Sequence, residues 1–430
     1  MEILIRGGRL IDAASQTDRT GDILIRDQKI WRIQEKITPS GHEDYVLDAG
    51  GKAVIPGIVD MHVHFRDPGQ TQKEDYQSGS MAAARGGVTT VVAMPNTTPV
   101  IDTAEKLHAC QKKAADIGMI HILQAGSMTM GEQGTELADI AGMAQAGVKA
   151  LSEDGKSVMD ASLAREAFRK AAENGLLVLD HCEDISLRGD GCMNLDANSA
   201  RLALPGISNS VEDTITARDM ILAAETGARL HLCHVSTRGA VQMLRFARSL
   251  GYSVTAEACP HHFILSSDDI RTDDPDYKMN PPLRTPEDVQ ELRRGLADGT
   301  ISVISTDHAP HTKEDKAGSM RTAAFGIVGL ETSFSLSYTA LVRSGILTPL
   351  ALVEKMCYNP ARLLGLDCGR LEAGAPADIM IADLEHPYTV DRSRFRSKGR
   401  NTPFDGWKVY GKTIYTICDG RILYDSEADR

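Results

Sequence analysis

Two textures of apolar and polar positions share the chain. Its first stretch reads as short strands, "EILIRGGRLID", "GDILIRDQKIWRI" and "YVLDAGGKAVIPG", punctuated by turn residues and free of any helical period. The same texture returns near the end in "ADIMIADLEHPYTV" and "WKVYGKTIYTICDGRILYD". The two ends predict one small β-sandwich assembled from residues 1–53 and 366–430.

Between them, apolar β-branched runs alternate with helical patterns. The runs are "GIVDMHVHF", "TTVVAMPN", "MIHILQAG", "VKALSED", "LLVLDHCED", "ARLHLCHVS", "YSVTAEACPHH" and "ISVISTDHAPH". Helices are predicted over 75–86, 103–117, 136–146, 160–174, 210–226, 237–250 and 286–298, with "LETSFSLSYTALVRSG" following the last run. A βα unit recurs about every thirty residues. The fold class is therefore α/β, a (β/α)8 TIM-type barrel over residues 54–365. The polar segment "HTKEDKAGSMRTAA" within residues 309–324 is a candidate lid, since long irregular loops at the top of a barrel often carry function.

Composition narrows the class without changing it. A net charge of -12 argues against broad nucleic-acid or anionic-membrane binding, yet a local arginine can still receive an anionic small molecule. The start shows no basic segment followed by an apolar core, and no apolar run is long enough to span a bilayer. Eight cysteines without CxxC pairs read as reduced thiols, which predicts a cytoplasmic protein.

Catalytic groups of such a barrel sit at the C-terminal ends of its strands. Those ends carry His62 and His64, Asp154, His181, His234 and Asp307. Alone, each has an ordinary explanation: His181 as a buried core histidine, Asp154 as a turn or cap residue. Together they point to a metal centre, with zinc on His62, His64 and Asp307, a second ion on His181 and His234, and Asp154 bridging. Asp307 is the candidate catalytic proton carrier. Alternation turns Cys182 and Cys233 to the opposite face. At most one of His261 and His262, which end the seventh run, is expected to face inward, and neither is taken as a ligand. His121 and His231 are expected to be structural, and His308 to point away from the metals.

"DMHVHFRDPGQTQKEDY", "AMPNTTPV", "DHCED", "HLCHVSTRGAV", "EACPHHF", "YKMNPPLR", "STDHAPH" and "FGIVGLE" together resemble the amidohydrolase superfamily and, within it, the dihydroorotase family. The resemblance covers most of the chain. It implies reversible cyclisation of N-carbamoyl-L-aspartate to dihydroorotate in pyrimidine biosynthesis, with two Zn2+ ions per subunit. It also implies substrate contacts from Arg66, Asn96, Asn280, His311, Phe325 and Gly326, a homodimer, and docking on aspartate transcarbamoylase as in some relatives. Many relatives bridge their metals with a carbamylated lysine; "VKALSEDG" resembles the subtype in which an aspartate, here Asp154, takes that place, leaving Lys149 unmodified. One departure stands out: the family pattern "APFGIVG" reads "AAFGIVG" here, with Ala324 for proline, which is expected to loosen the lid. The competing readings are an allantoinase or dihydropyrimidinase, whose substrates lack the ring carboxylate, and an inactive scaffold homologue.

Overall fold

Each of the eight apolar runs contains a parallel strand. In the computed structural model, which describes residues 1–429, these are Ile58–Val63, Val88–Ala93, His121–Gln124 continuing as Gly126–Ser127, Ala150–Ser152, Leu177–Asp180, Arg229–Leu232, Val254–Ala258 and Val303–Ile304. Every residue of the first two is buried, as expected for strands covered on both faces. Neighbours pair in sequence order. The last strand's extension returns to the first: Val63 bridges His308 in parallel, and the His64 N–H donates to the His308 carbonyl at 2.8 Å.

Helices alternate with these strands at Tyr76–Gly86, Ala104–Ile117, Ile140–Gln145, Ala161–Glu173, Ser210–Thr226, Arg238–Ser249 and Pro286–Ala297. Six of them begin at a side chain that accepts an N–H of the first turn: Asp75, Thr103, Asp139, Asp160, Thr237 and Thr285. Each such cap is worth about 1 kcal/mol. The third helix begins at Ile140, not at 136, because Asp139 caps it and Leu137 is drawn into a bridge with Thr129. The segment after the eighth strand is helical at Ser333–Ser337 and then widens into a π turn at Tyr338–Val342.

The two chain ends meet in one hydrogen-bonded sheet. Ile379–Asp383 lies between Ala53–Pro56 and Lys412–Cys418, antiparallel to both. Glu2–Asp12 pairs with Tyr45–Asp48 along its first half and with Ala53–Pro56 along its second, beyond a bulge between Ile5 and Gly8. Ile3, Ile5, Leu10, Ile23, Ile25, Val54, Ile379, Ile381 and Ile417 fill its own apolar core. His121 forms an ion pair with Asp378 at 3.2 Å, joining the third parallel strand to this sheet. Among the described residues no helix is long and apolar enough to cross a membrane.

Candidate metal centre and substrate pocket

Four imidazoles and two carboxylates from five strand ends converge, His62 and His64 sharing the first. His62 Nε2 lies 3.1 Å from Asp154 Oδ1 and 3.6 Å from Asp307 Oδ1. His64 Nε2 lies 3.0 Å from Asp307 Oδ1 and 3.3 Å from Asp154 Oδ2. His181 Nδ1 and His234 Nε2 are 2.8 Å apart, at 3.6 and 3.7 Å from Asp154 Oδ1. Asp154 thus touches both pairs of histidines, and all six side chains are buried. Lys149 is exposed at the far end of its strand.

Three of the imidazoles are aimed from behind. His62 Nδ1 donates to Glu257 Oε1 at 2.9 Å, His64 Nδ1 to Asn96 Oδ1 at 3.0 Å, and His181 Nε2 to Glu183 Oε2 at 3.1 Å. Each bond fixes the tautomer and presents the opposite nitrogen as a lone pair toward the centre. His62 Nε2, His234 Nδ1 and Asp154 Oδ1 have no hydrogen-bond partner although buried. Each such group costs about 1–3 kcal/mol, and His62 Nε2 with Asp154 Oδ1 marks a metal-binding centre, which His234 faces through its Nε2. Two groups of three fit one ion each: His62, His64 and Asp307, and His62, Asp154 and His234, with donor atoms within 4.8 Å of one another. Nitrogen and carboxylate oxygen in this mixture suit a borderline cation such as zinc.

The electrostatics agree with that donor set. Burial alone pushes the Asp154 carboxyl up, but His62, His234 and His64 outweigh it and hold it well below the usual range. Asp307 is likewise pushed up by burial and brought below its ordinary value by His64 and His62. Glu257, fully buried, is held well below the ordinary range by His231 and His62 against its burial. All three carboxylates are ionised at neutral pH.

Beside the centre lies a cavity of about 160 Å³ lined by His64, Arg66, Asn96, Asp154, Gly155, His181, Arg188, His234, Asn280, Asp307, Ala309, Phe325 and Gly326. His62 sits behind it. Arg66, His234 and Asp307 have positive φ values of 57, 34 and 48°, conformations that cost energy and cluster at functional sites. Gly326, at φ 127°, admits no other residue easily, since a Cβ there would stand 2.5 Å from that of Ala309. Lys278 Nζ sits 4.2 Å from the Phe325 ring centroid.

Several expected residues take a different posture. Asn96 lines the cavity but spends its amide on His64 and on Asp154 Oδ2, at 3.0 Å each. Asn280 donates to Glu183 Oε1 at 3.1 Å. His311 does not line the cavity; it stands behind Arg66 and bonds the Phe325 carbonyl at 2.8 Å, and burial followed by Arg66 lowers its pKa to about 3. Cys233 does not turn away from the ligands: its thiol lies with His62 and Glu257, because the left-handed backbone at His234 breaks the strand alternation. His261 and His262 are both buried, since Pro260 starts the short helix Pro260–Ile264 and ends the period of two. His262 Nε2 bonds the Pro281 carbonyl at 2.9 Å. His308 points away, toward Glu74. His231 is structural, on Thr255 and Glu257.

Three residues escaped the sequence reading. Glu257 had a signal, a carboxylate inside the buried run "VTAEA"; Glu183 lay two positions past His181 in "HCED"; Arg188 had none beyond its place four residues past Asp184.

Residues 53–423 match the amidohydrolase family. A dihydroorotase of Pelotomaculum thermopropionicum is 46% identical over 433 residues, covering 100% of both chains. A dihydroorotase of Lactobacillus delbrueckii subsp. bulgaricus is 47% identical, covering 97% of this chain and 96% of its own. The chain belongs to the dihydroorotase family of amidohydrolases. Among solved structures, an L-hydantoinase (dihydropyrimidinase) from Arthrobacter aurescens superposes with a TM-score of 0.88 at 29% identity, covering 98% of this chain and 96% of its own. Within the dihydroorotase family the chain is an enzyme acting on a cyclic amide, and its buried His/Asp groups can hold a metal.

Proposed function

We propose that the chain interconverts N-carbamoyl-L-aspartate and (S)-dihydroorotate, at a pair of zinc ions, on a closed (β/α)8 barrel. The Val63–His308 bridge supports closure of the eight strands over residues 54–365, and the sheet shared by both ends supports an appended domain from 1–53 and 366–430. Eight free cysteines fit a cytoplasmic setting. The family resemblance alone suggests a homodimer and docking on aspartate transcarbamoylase, which sedimentation with and without that partner tests.

One observation carries the reading: a guanidinium, Arg66, opens on the same small cavity as five of the six convergent ligands. A cyclic amide bearing a carboxylate needs that combination. His62, His64 and Asp307 would hold one ion, His181 and His234 the other, with Asp154 reaching both. When bound, the ions acidify a water and polarise the ring carbonyl. Arg66 receives the ring carboxylate through its planar fork. Asp307, ionised at neutral pH, takes a proton at its carboxylate oxygen and returns it to the leaving ring nitrogen. Phe325 and Gly326 wall the ring off from solvent, Asn96 steadies His64 and Asp154 beside it, and Asn280 lines the same cavity with its amide nitrogen on Glu183. Ring closure turns a dianion into a monoanion and so consumes a proton, which favours synthesis as pH falls.

The test is the ultraviolet absorbance of dihydroorotate, followed with purified protein whose metal content is measured on the same sample. Turnover with about two zinc ions per chain is expected. Turnover of hydantoin or dihydrouracil without turnover of dihydroorotate would establish the second reading, which the likeness to L-hydantoinase favours.

A further inference from the structure

Part of the cavity wall comes from the two ends of one loop, Ala309 on one side and Phe325–Gly326 on the other, with His311 behind them. They meet directly through the Ala309 N–H on the Ile327 carbonyl and His311 on the Phe325 carbonyl, at 2.8 Å each, and a side chain from the C-terminal part of the chain adds a further join. Asn401, 4% exposed, donates from Nδ2 to the Ala309 carbonyl and to the Gly326 carbonyl, at 3.0 Å each. Its Oδ1 accepts the His311 N–H at 3.2 Å. Two carbonyls on one side and an N–H on the other leave one orientation of the amide, and the three bonds occupy both of its donors and its acceptor. Its own carbonyl accepts the Val328 N–H at 2.9 Å, so backbone and side chain grip the same loop.

The segment leading to Asn401 is seated with equal closeness. A Cβ on Gly399 would stand 2.7 Å from Val328 and 2.9 Å from Pro310. Ser397 Oγ bonds Glu74, the carboxylate that also contacts His308 Nε2 at 3.3 Å. The Gly326 carbonyl is held a second time by Lys316 Nζ at 3.0 Å.

We propose that Asn401 is a positioning residue for the substrate wall, setting Ala309 and Gly326 against each other and His311 behind Arg66 through one amide. It touches no substrate and acts through the loop ends it joins. The inference deepens the dihydroorotase reading and rests on it. Near such a site a displacement of about 1 Å costs on the order of 10²-fold in rate.

The experiment compares wild type, Asn401→Ala and Asn401→Asp in steady-state kinetics with dihydroorotate, alongside zinc content and thermal midpoint. Asn401→Asp keeps the size and the acceptor for His311 but turns an oxygen toward the two carbonyls, so it breaks the join without opening a cavity, while Asn401→Ala breaks it without adding a charge. Expected is a rise in KM of about tenfold or more in the folded variants, larger than the fall in kcat, at unchanged zinc content. A lowered thermal midpoint or active fraction with KM unchanged in either folded variant would overturn the proposal. Wild type without dihydroorotate turnover would instead sink the reading on which it rests.

Discussion

Glu257 Oε1 accepts the Nδ1 proton of His62 at 2.9 Å, so the only imidazole nitrogen of His62 that can face the centre is a lone pair. Its second oxygen bonds His231 Nε2 at 3.2 Å, which ties the carboxylate to the sixth strand. Removing the charge from this anchor weakens the donor in front of it. Glu257→Gln is expected to lower zinc affinity about 10–100-fold, measured by competition with a chromophoric chelator. Unaltered affinity would mean that the bond only fills space.

Arg66 separates the two cyclic-amide readings. Hydrogen bonds to a charged partner are worth about 1.5–3 kcal/mol, so Arg66→Ala should lower kcat/KM for dihydroorotate by about 10²-fold. Hydantoin carries no ring carboxylate, and its turnover, where detectable, should change little. Equal losses on both substrates would favour the hydantoinase reading.

The departure at Ala324 has a structural answer. The Ala324 N–H donates to the Asp315 carbonyl at 2.9 Å, and its own carbonyl accepts Lys316 Nζ at 2.9 Å. Proline has no N–H to give. The loosening expected from losing the family's proline is thus offset by a hydrogen bond across the loop. Ala324→Pro should cost about 0.5–1.5 kcal/mol and quicken proteolytic cleavage within 311–324. A slower cleavage would show that proline's stiffness outweighs the bond.

His121 makes the join between strands and terminal sheet sensitive to pH. Its hydrogen bond to Asp378 raises its pKa above 6.5 against the opposing effect of burial. A histidine with a raised folded pKa stabilises fully below its unfolded value and loses that contribution as pH rises through the folded one. With the imidazole 38% exposed, the pair is worth under about 1 kcal/mol. His121→Ala should therefore lower the thermal midpoint more at pH 6 than at pH 9; an equal drop at both would assign the loss to packing alone.

How far the sequence could be read depended on the range of the interaction. Strand positions followed from buried apolar runs, and helix positions from their apolar period, because both signals are local. The convergence of His62, His64, Asp154, His181, His234 and Asp307 was legible because parallel strands put like ends on one side. Alternation failed at Cys233, next to the left-handed His234, and the strand period itself stops at Pro260, ahead of His261 and His262. Roles behind the first layer were harder still. That Asn96 holds His64, or that Asn401 reaches His311, depends on pairings across dozens of residues that no local pattern records.

The seam between His64 and His308 means that the first and last of the eight parallel strands must find each other before the cluster exists. During synthesis the neighbouring imidazoles of His62 and His64 leave the ribosome well ahead of Asp307, and a nascent chain offers a passing cation only half a nest. A metal held by all six groups would therefore be taken up only after these strands have met, and not by the growing chain.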